Sequence, residues 1–326
     1  MLEPKDDLRH RLAPGPHARE SLFYNVLLPD EGLMIFVYTW VDAESRAGHL
    51  FAVVGDNDER LAFSAVDGVP VGDRDFDDWA VGGLWLRHTD LLRTASLGFA
   101  GPAGGGSADG AADSAADGAA DGSAGAEVTL HATFTGTHEA FDYARNEDGC
   151  PAFIADNRFE QSATVTGELV LGGRRIPFET TGHRDHSWGT RDWDTLQDWK
   201  WVSAQAGDGL SLNVMQLHAR GETTRHGYVY RDGALAAVVD VRTSAEYDER
   251  WWQTGLRMTV RDDAGRQTEL TARRYALLRF DAGERLALHE AGCTGTIDDR
   301  PALIHFEAGW DRSYAESQTS HPKDRP

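Results

Sequence analysis

Three segments follow one another near the start of the chain: SLFYNVLL (residues 21–28), PDEG (29–32) and LMIFVYTWV (33–41). The two flanking runs are rich in aromatic and β-branched side chains, which pack well on a pleated, half-buried surface. The four residues between them carry turn chemistry, with Pro, Asp and Gly in close order. The whole reads as a β-hairpin. Its second strand is apolar on both faces, because Leu33, Ile35, Val37 and Val41 alternate with Met34, Phe36, Tyr38 and Trp40. A strand buried on both sides belongs in a wall with contents on one side and packing on the other, as in a barrel.

The same strand signal continues outward from this hairpin. Short runs at 49–54, 61–66, 83–88 and 128–134 alternate with turns such as Asp67-Gly68. The stretch 101–126 interrupts them with an acidic Ala/Gly/Asp repeat that lacks apolar bulk, and it reads as a disordered surface loop. From Phe159 the pattern becomes regular: 162–171 and 175–181 around Gly172-Gly173, then 199–205, 210–219, 226–231, 234–243, 256–261 and 267–272, with a last strand at 303–310. Short strands at this spacing indicate a sandwich or barrel, and no long helical period competes with them. Residues 1–18, polar and with Pro14 and Pro16, read as a flexible arm, and 317–326 as a polar tail. The expected organisation is all-β in two halves, 19–158 and 159–316, with a boundary near residue 160.

Composition narrows the function classes. A chain of 326 residues suits two domains, and 40% apolar content is enough for two cores. The formal net charge of −21 argues against nucleic acid and anionic membrane surfaces as partners. Positive charge is almost all arginine, with Lys5, Lys200 and Lys323 the only lysines; abundant Asp beside scarce Lys suggests a salt-adapted or GC-rich source. Cys150 and Cys293 lie far apart and give no disulfide framework, although one bridge between them stays open. No signal-peptide core is present, and no run reaches the about 20 apolar residues of a spanning helix. These features predict a soluble, cytoplasmic protein without stable membrane insertion. Oligomeric state is not written in the sequence.

The densest chemistry lies in TTGHRDHSWGTRDWDTLQDWKW (residues 180–201), which holds two His, four Asp, two Arg and four Trp. If residues 182–188 are extended, His183, Asp185 and Ser187 point to one side, and Arg184, His186 and Trp188 to the other. Gly182-x-x-Asp-His-Ser-Trp-Gly189 followed by Arg191-x-Trp193 resembles the signature of the carotenoid 1,2-hydratases (hydroxyneurosporene synthases) and their AttH-like relatives; fungal lipocalin-like Diels–Alderases share the fold. Glu20, Ser21 and Asn25, with the Arg225–Gly233 segment RHGYVYRDG, extend the resemblance to bacterial and archaeal relatives of unknown function. It implies two lipocalin-like β-barrel domains packed together, with the motif near their junction, and Asp185 in the position of the hydratases' acid. Ser187 stands where the hydratases usually carry Asn.

Hydration, cyclisation or isomerisation of an alkene begins with protonation to a tertiary cation. A carboxyl buried among aromatic groups has its pKa raised and can supply that proton. Asp185 is the expected acid, His183 and His186 the expected relay or orienting groups, and Trp188, Trp193, Trp199 and Trp201 the expected cation-stabilising cage. Tyr38, Tyr228 and Tyr230 join them as candidate ligand contacts. The expected ligand is a hydrophobic terpenoid-, carotenoid- or steroid-like molecule. Two non-enzymatic readings of the same residues stand beside this one. Asp185 and His186 can pair with Arg184 or Arg191 merely to lock the junction, and the tryptophans can be ordinary packing. A lipid carrier and a pericyclase that only pre-folds a polyene also fit the fold. A metal reading of His183 and His186 with Asp192 and Asp194 fails because the two His face opposite sides of a strand. Ser187 lacks a nucleophile elbow, the Gly104–Gly106 run lacks the context of a phosphate loop, and nothing calls for a nucleotide, flavin or haem cofactor.

Overall fold

The computed structural model describes residues 1–15, 17–106, 126–282, 285–314 and 317. The first hairpin forms as its sequence predicts. β1 (Ala18–Leu28) and β2 (Leu33–Asp42) pair through a 3-10 turn at Pro29–Glu31, and Gly32 closes that turn at φ 66°, a left-handed value that glycine adopts without a steric cost. β3 (Arg46–Gly55), β4 (Arg60–Pro70), β5 (Trp79–Val81), β6 (Leu84–Asp90), β7 (Thr94–Gly106), β8 (Ala126–Gly136), β9 (Phe141–Asp142), β10 (Asn157–Leu171) and β11 (Arg174–Thr190) complete an 11-stranded sheet. Its order is β4-β3-β2-β1-β11-β10-β8-β7-β6-β5, with β9 on β10 and a β4–β7 pairing that brings the sheet back on itself. β12 (Leu196–Gln205), β13 (Leu210–Ala219), β14 (Glu222–Arg231), β15 (Ala234–Tyr247), β16 (Gln253–Asp262), β17 (Gln267–Ala282), β18 (Leu286–Ile297) and β19 (Arg300–Asp311) form a closed antiparallel barrel in simple up-and-down order. Closure removes the exposed edges that an open sheet would present.

Three apolar clusters fill this architecture, and the two faces of β2 serve two of them. Leu33, Ile35, Val37 and Val41 enter the interior of the first sheet with Phe51, Phe99 and Val165. Met34, Phe36 and Trp40 point the other way, onto Trp199, Trp201, Met215 and Leu288 of the barrel. The barrel interior is separate, and all eight of its strands contribute to it, among them Val202, Leu212, Val229, Val241, Met258, Leu270, Cys293 and Phe306. The doubly apolar strand is therefore a wall between a barrel core and a junction with the second barrel.

The structure corrects three expectations. The boundary near residue 160 moves to 191–195. The hairpin of β10 and β11 was expected to open the second half, but β11 runs on to Thr190 and pairs with β1 from Ala18 to Val26, so the Asp-His-Ser-Trp motif belongs to the first sheet. The flexible arm is not loose over its first ten residues: Pro4–Asp7 is a 3-10 helix, and Asp7 is buried against Arg184. Strands β7 and β8 take up both ends of the expected 101–126 loop, through Gly106 and from Ala126. The rest of that loop, and the tail after Ser317, lie outside the described residues. Cys150 and Cys293 are free thiols. Among the described residues no helix is long and apolar enough to cross a membrane.

Candidate functional site

Cross-strand register sets the first wall of the site. Asp185 on β11 lies opposite Phe23 on β1 and Glu160 on β10. Phe23 in turn lies opposite Tyr38, and Ser187 opposite Ser21 and Arg158. Because side chains alternate along strands, Phe23, Ser21, Tyr38, Arg158, Glu160, His183, Asp185 and Ser187 share one face of the first sheet. That face meets the outer wall of the closed barrel, where Trp201 and Glu307 are partners across β12 and β19, and Glu290 and Glu307 across β18 and β19. Phe23 bridges the junction, with its ring 5.4 Å from that of Trp201. Gly309 is required here: a Cβ at that position would lie 2.0 Å from the Trp199 ring.

A cavity of about 390 Å³ opens between the two walls, within the range of roughly 300–1,000 Å³ usual for small-molecule sites. Its apolar lining includes Phe36, Trp40, Trp193, Trp199, Trp201 and Phe280. Its polar lining is confined to a few groups, chiefly Ser21, Tyr38, Arg158, Asp185, Arg191, Glu290 and Glu307.

The polar groups fall into three sets. In the first, the Arg158 guanidinium donates to Asp185 Oδ2 at 2.7 Å and to Glu160 Oε1 at 2.6 Å. Glu160 also accepts from His183 Nε2 at 2.7 Å and from Trp201 Nε1 at 3.0 Å. Burial favours the neutral acid at Glu160, but Arg158 and His183 outweigh it and hold the carboxyl below its usual range. Burial lowers His183 below the usual imidazole range, against the pull of Glu160. At Asp185 burial dominates and lifts the carboxyl to about 7; Arg158 opposes the rise and Glu160 adds to it. In the second set, Arg191 donates to Ser21 Oγ at 2.6 Å, Ser187 Oγ at 2.7 Å and Tyr38 Oη at 3.2 Å. In the third, Glu290 and Glu307 sit side by side on the barrel, and burial lifts both to about 8.

Five of the expected residues line the cavity: Asp185, Tyr38, Trp193, Trp199 and Trp201. His183 does not touch it and reaches Asp185's surroundings only through Glu160. Tyr228 lies behind His183, bonded to Ser162 Oγ at 2.7 Å, and Tyr230 packs on His138. His186 and Trp188 face the opposite side of β11, so His186 is no relay for Asp185 and Trp188 no part of a cage. His186 Nε2 donates to Glu20 Oε1 at 2.7 Å, and Trp188 stacks on His10 with ring centroids 3.9 Å apart. The residues missed by sequence reasoning are Arg158, Glu160, Glu290 and Glu307. Each is a charged residue within a strand, a signal that marks an inward-facing polar site only once the register is known.

One group has metal-ligand composition. One ligand atom each from His10, Glu20 and His186 lie within 4.8 Å of one another. Both imidazoles already bond the same Glu20 oxygen, at 2.7 Å each. Their outer nitrogens, His10 Nε2 and His186 Nδ1, have no hydrogen-bond partner among the described residues, Asp6 Oδ1 lying 3.7 Å from His10 Nε2, whereas ligating histidines almost always donate that second N–H. The trio fits a hydrogen-bonded strap that ties residue 10 to β11 better than an ion site.

The chain belongs to the family described as a domain of unknown function, DUF7064, whose model matches residues 3–312. Among solved structures it is similar to a candidate AttH from Nitrosomonas europaea, with 15% identity and a TM-score of 0.65 over 96% of this chain and 97% of that one. It is also similar to CghA, solved with Sch210972, with 15% identity and a TM-score of 0.54 over 91% of this chain and 89% of that one. At that identity the likeness establishes the lipocalin-like fold. No curated protein matches the chain.

Proposed function

We propose that the protein is an enzyme that performs acid–base chemistry on an alkene of a hydrophobic terpenoid-, carotenoid- or steroid-like molecule held between its two barrels, by hydration, cyclisation or isomerisation. The observation that carries this reading is the Asp185 carboxyl, lifted to about 7 on the wall of an aromatic cavity. A group poised near neutrality can both give and take a proton. The cavity supplies what the resulting cation needs: indole faces at Trp199 and Trp201 and carboxylates within the same walls. Its size encloses a compact ring system whole or one end of a long chain. The likeness to the hydratase signature supports the same chemistry, and Ser187 engages Arg191 rather than the cavity's carboxyls.

A carrier role is favoured by one contact, the ion pair of Asp185 with Arg158 at 2.7 Å, which also serves simply to tie β10 to β11 on the cavity face of the first sheet. Native mass spectrometry with lipid extraction, on protein from its own host and on Asp185→Asn, separates the two. An enzyme yields chemically different ligands from wild type and variant, whereas the same ligand in both sinks the catalytic reading. A pericyclase, for which shape matters more than acid, would be recognised by a variant at Asp185 that keeps turnover while a Trp199→Ala variant loses it.

A further inference from the structure

Asp185 has an ion-pair partner, and a donor to an alkene works best without one. The opposite wall of the cavity provides such a group. Glu290 and Glu307 are direct partners across β18 and β19, and both project from the barrel's outer wall into the cavity. Glu290 is almost completely buried, at 1% exposure, and Glu307 stands in front of it with part of its surface open to the cavity. Their described partners carry no fixed charge. Glu307 accepts from the indole N–H of Trp199. Glu290 Oε2 is 2.6 Å from His305 Nε2, and burial lowers that imidazole to about 4, so it is neutral. Glu290 and Glu307 are direct cross-strand partners, and two buried carboxyls placed side by side can hold one proton between them.

We infer that Glu307, backed by Glu290 as a positioning residue, delivers the proton to the ligand, and that Asp185 across the cavity is the carboxylate that takes a proton back. This rests on the alkene reading above. In the forward step the Glu307 O–H bond breaks, the alkene's π pair forms a C–H bond, and a tertiary cation and the Glu307 carboxylate result. In an isomerisation a C–H bond beside the cation then breaks, its electrons form the new alkene, and the proton goes to Asp185; in a cyclisation the π pair of a second alkene of the same molecule first forms the ring C–C bond, and the new cation loses its proton in the same way. In a hydration, water adds to the cation and its proton goes to the same carboxylate. Exchange with water through the open mouth of the cavity restores both groups, so no co-reactant beyond water is needed. Arg158 favours this division of labour, because it holds Asp185 toward the ionised form while it reaches Glu307 only at longer range.

The groups that face the pair are Asp185 and Arg158 from the first sheet, and His305 and Trp199 from the barrel. Two measurements on the full chain test the assignment. Infrared titration follows the C=O stretch of protonated carboxyls in Asp185→Asn, which removes the contribution of Asp185 itself, and in Asp185→Asn combined with Glu290→Gln/Glu307→Gln. A band that persists in Asp185→Asn at pH 7, fades near pH 8 and is missing when the two glutamates are also replaced is the expected result. An Asp185→Asn variant with no such band at pH 7, or a combined variant that retains it, overturns the shared proton. The second measurement follows deuterium uptake from deuterated buffer into farnesol, an alkene probe. Glu307→Gln, which keeps the side-chain volume and the acceptor for Trp199, is expected to lower uptake by about 100-fold or more. Glu290→Gln is expected to displace the pH profile of uptake, which a merely structural role would not do. Undiminished uptake in a folded Glu307→Gln removes Glu307 as donor and leaves the enzyme reading intact. No uptake by wild type, with the infrared result as expected, overturns the alkene chemistry and the donor role with it, and leaves only the shared proton.

Discussion

β11 presents two faces of similar composition to two different surroundings. His183, Asp185 and Ser187 look toward the junction cavity; Arg184, His186 and Trp188 look into the first sheet and the segment that crosses it. On the second face every charge has a close partner. Arg184 donates to Asp7 Oδ1 at 2.9 Å, Asp7 also meets His88, and Glu20 is gripped by His10 and His186. Burial would raise Asp7 and Glu20, but the attraction of Arg184 at the first and the hydrogen bonds of His10 and His186 at the second overcome it and hold both below their usual range. On the first face Asp185 rises to about 7, because burial and the neighbouring carboxylates outweigh Arg158 and Arg191. A fully partnered polar cluster holds structure, and an incompletely partnered one beside a cavity is equipped for chemistry.

The largest expected effect breaks the sealed face. Arg184→Ala leaves Asp7 buried without its main cation, which costs on the order of 3–5 kcal/mol. Urea denaturation would measure it, and a loss below about 1 kcal/mol would show that the face is not sealed. The next effect acts on the open face. Asp185→Asn is expected to lower turnover by about 100-fold, equivalent to about 2.7 kcal/mol of barrier, while the variant melts no lower than wild type at pH 8. A comparable loss of stability there would place Asp185 with Arg184 as a structural ion.

The two faces also predict opposite pH dependences of stability. Asp185, Glu290 and Glu307 bind protons in the folded state above the pH where the unfolded chain releases them. Their contribution is greatest below about pH 4 and is lost as pH rises toward about 8, with a slope of up to about 1.4 kcal/mol per proton per pH unit. Asp7 and Glu20 are shifted down, so their contribution is present above about pH 4 and is lost as pH falls through their lowered values. Neutral His88, depressed to about 4 by burial, adds to the loss on the acid side. Melting temperature against pH should therefore flatten on the alkaline side in Glu290→Gln/Glu307→Gln and on the acid side in Asp7→Asn. If both substitutions flatten the same side, the contrast between the faces is wrong.

Much of this was legible in the chain, and the reasons for the rest are specific. The doubly apolar β2 announced a wall, and period-two alternation separated the faces of the motif correctly. Strand β18 was not assigned from the sequence, and LALHEAGCTGTI carries two glycines, which weaken a strand signal. Its neighbours demand them: a Cβ at Gly292 would lie 2.9 Å from the Tyr275 ring, and one at Gly295 would lie 1.8 Å from the Thr271 carbonyl. With β18 went Glu290. Glu307 sat in a strand that was recognised and Glu160 just before the expected start of one at residue 162, yet their meeting with Asp185 depends on register and on the packing of two barrels, which no local pattern encodes. Asp7 looked like part of a polar arm because its partner lies 177 residues away.

The smallest effect tests how far the sealed face extends. His10 is the outermost member of the strap, stacked on Trp188 with an interplanar angle of 6° and bonded to Glu20. It is also the most exposed, with a side chain 21% accessible beside a fully buried Glu20. Replacing it with Ala removes one stacked ring and one charge-assisted hydrogen bond, while Glu20 keeps His186 and the backbone N–H of residue 10, which donates to Oε2 at 2.8 Å. The loss should be about 1 kcal/mol, since a retained acceptor network avoids the larger cost of an orphaned carboxylate. Turnover and ligand affinity should not change, because the ring is on the far side of β11 from the cavity. A change in either with the fold intact would mean that the two faces communicate through the strand, and that the histidine of the motif on the sealed side reports to the chemistry on the other.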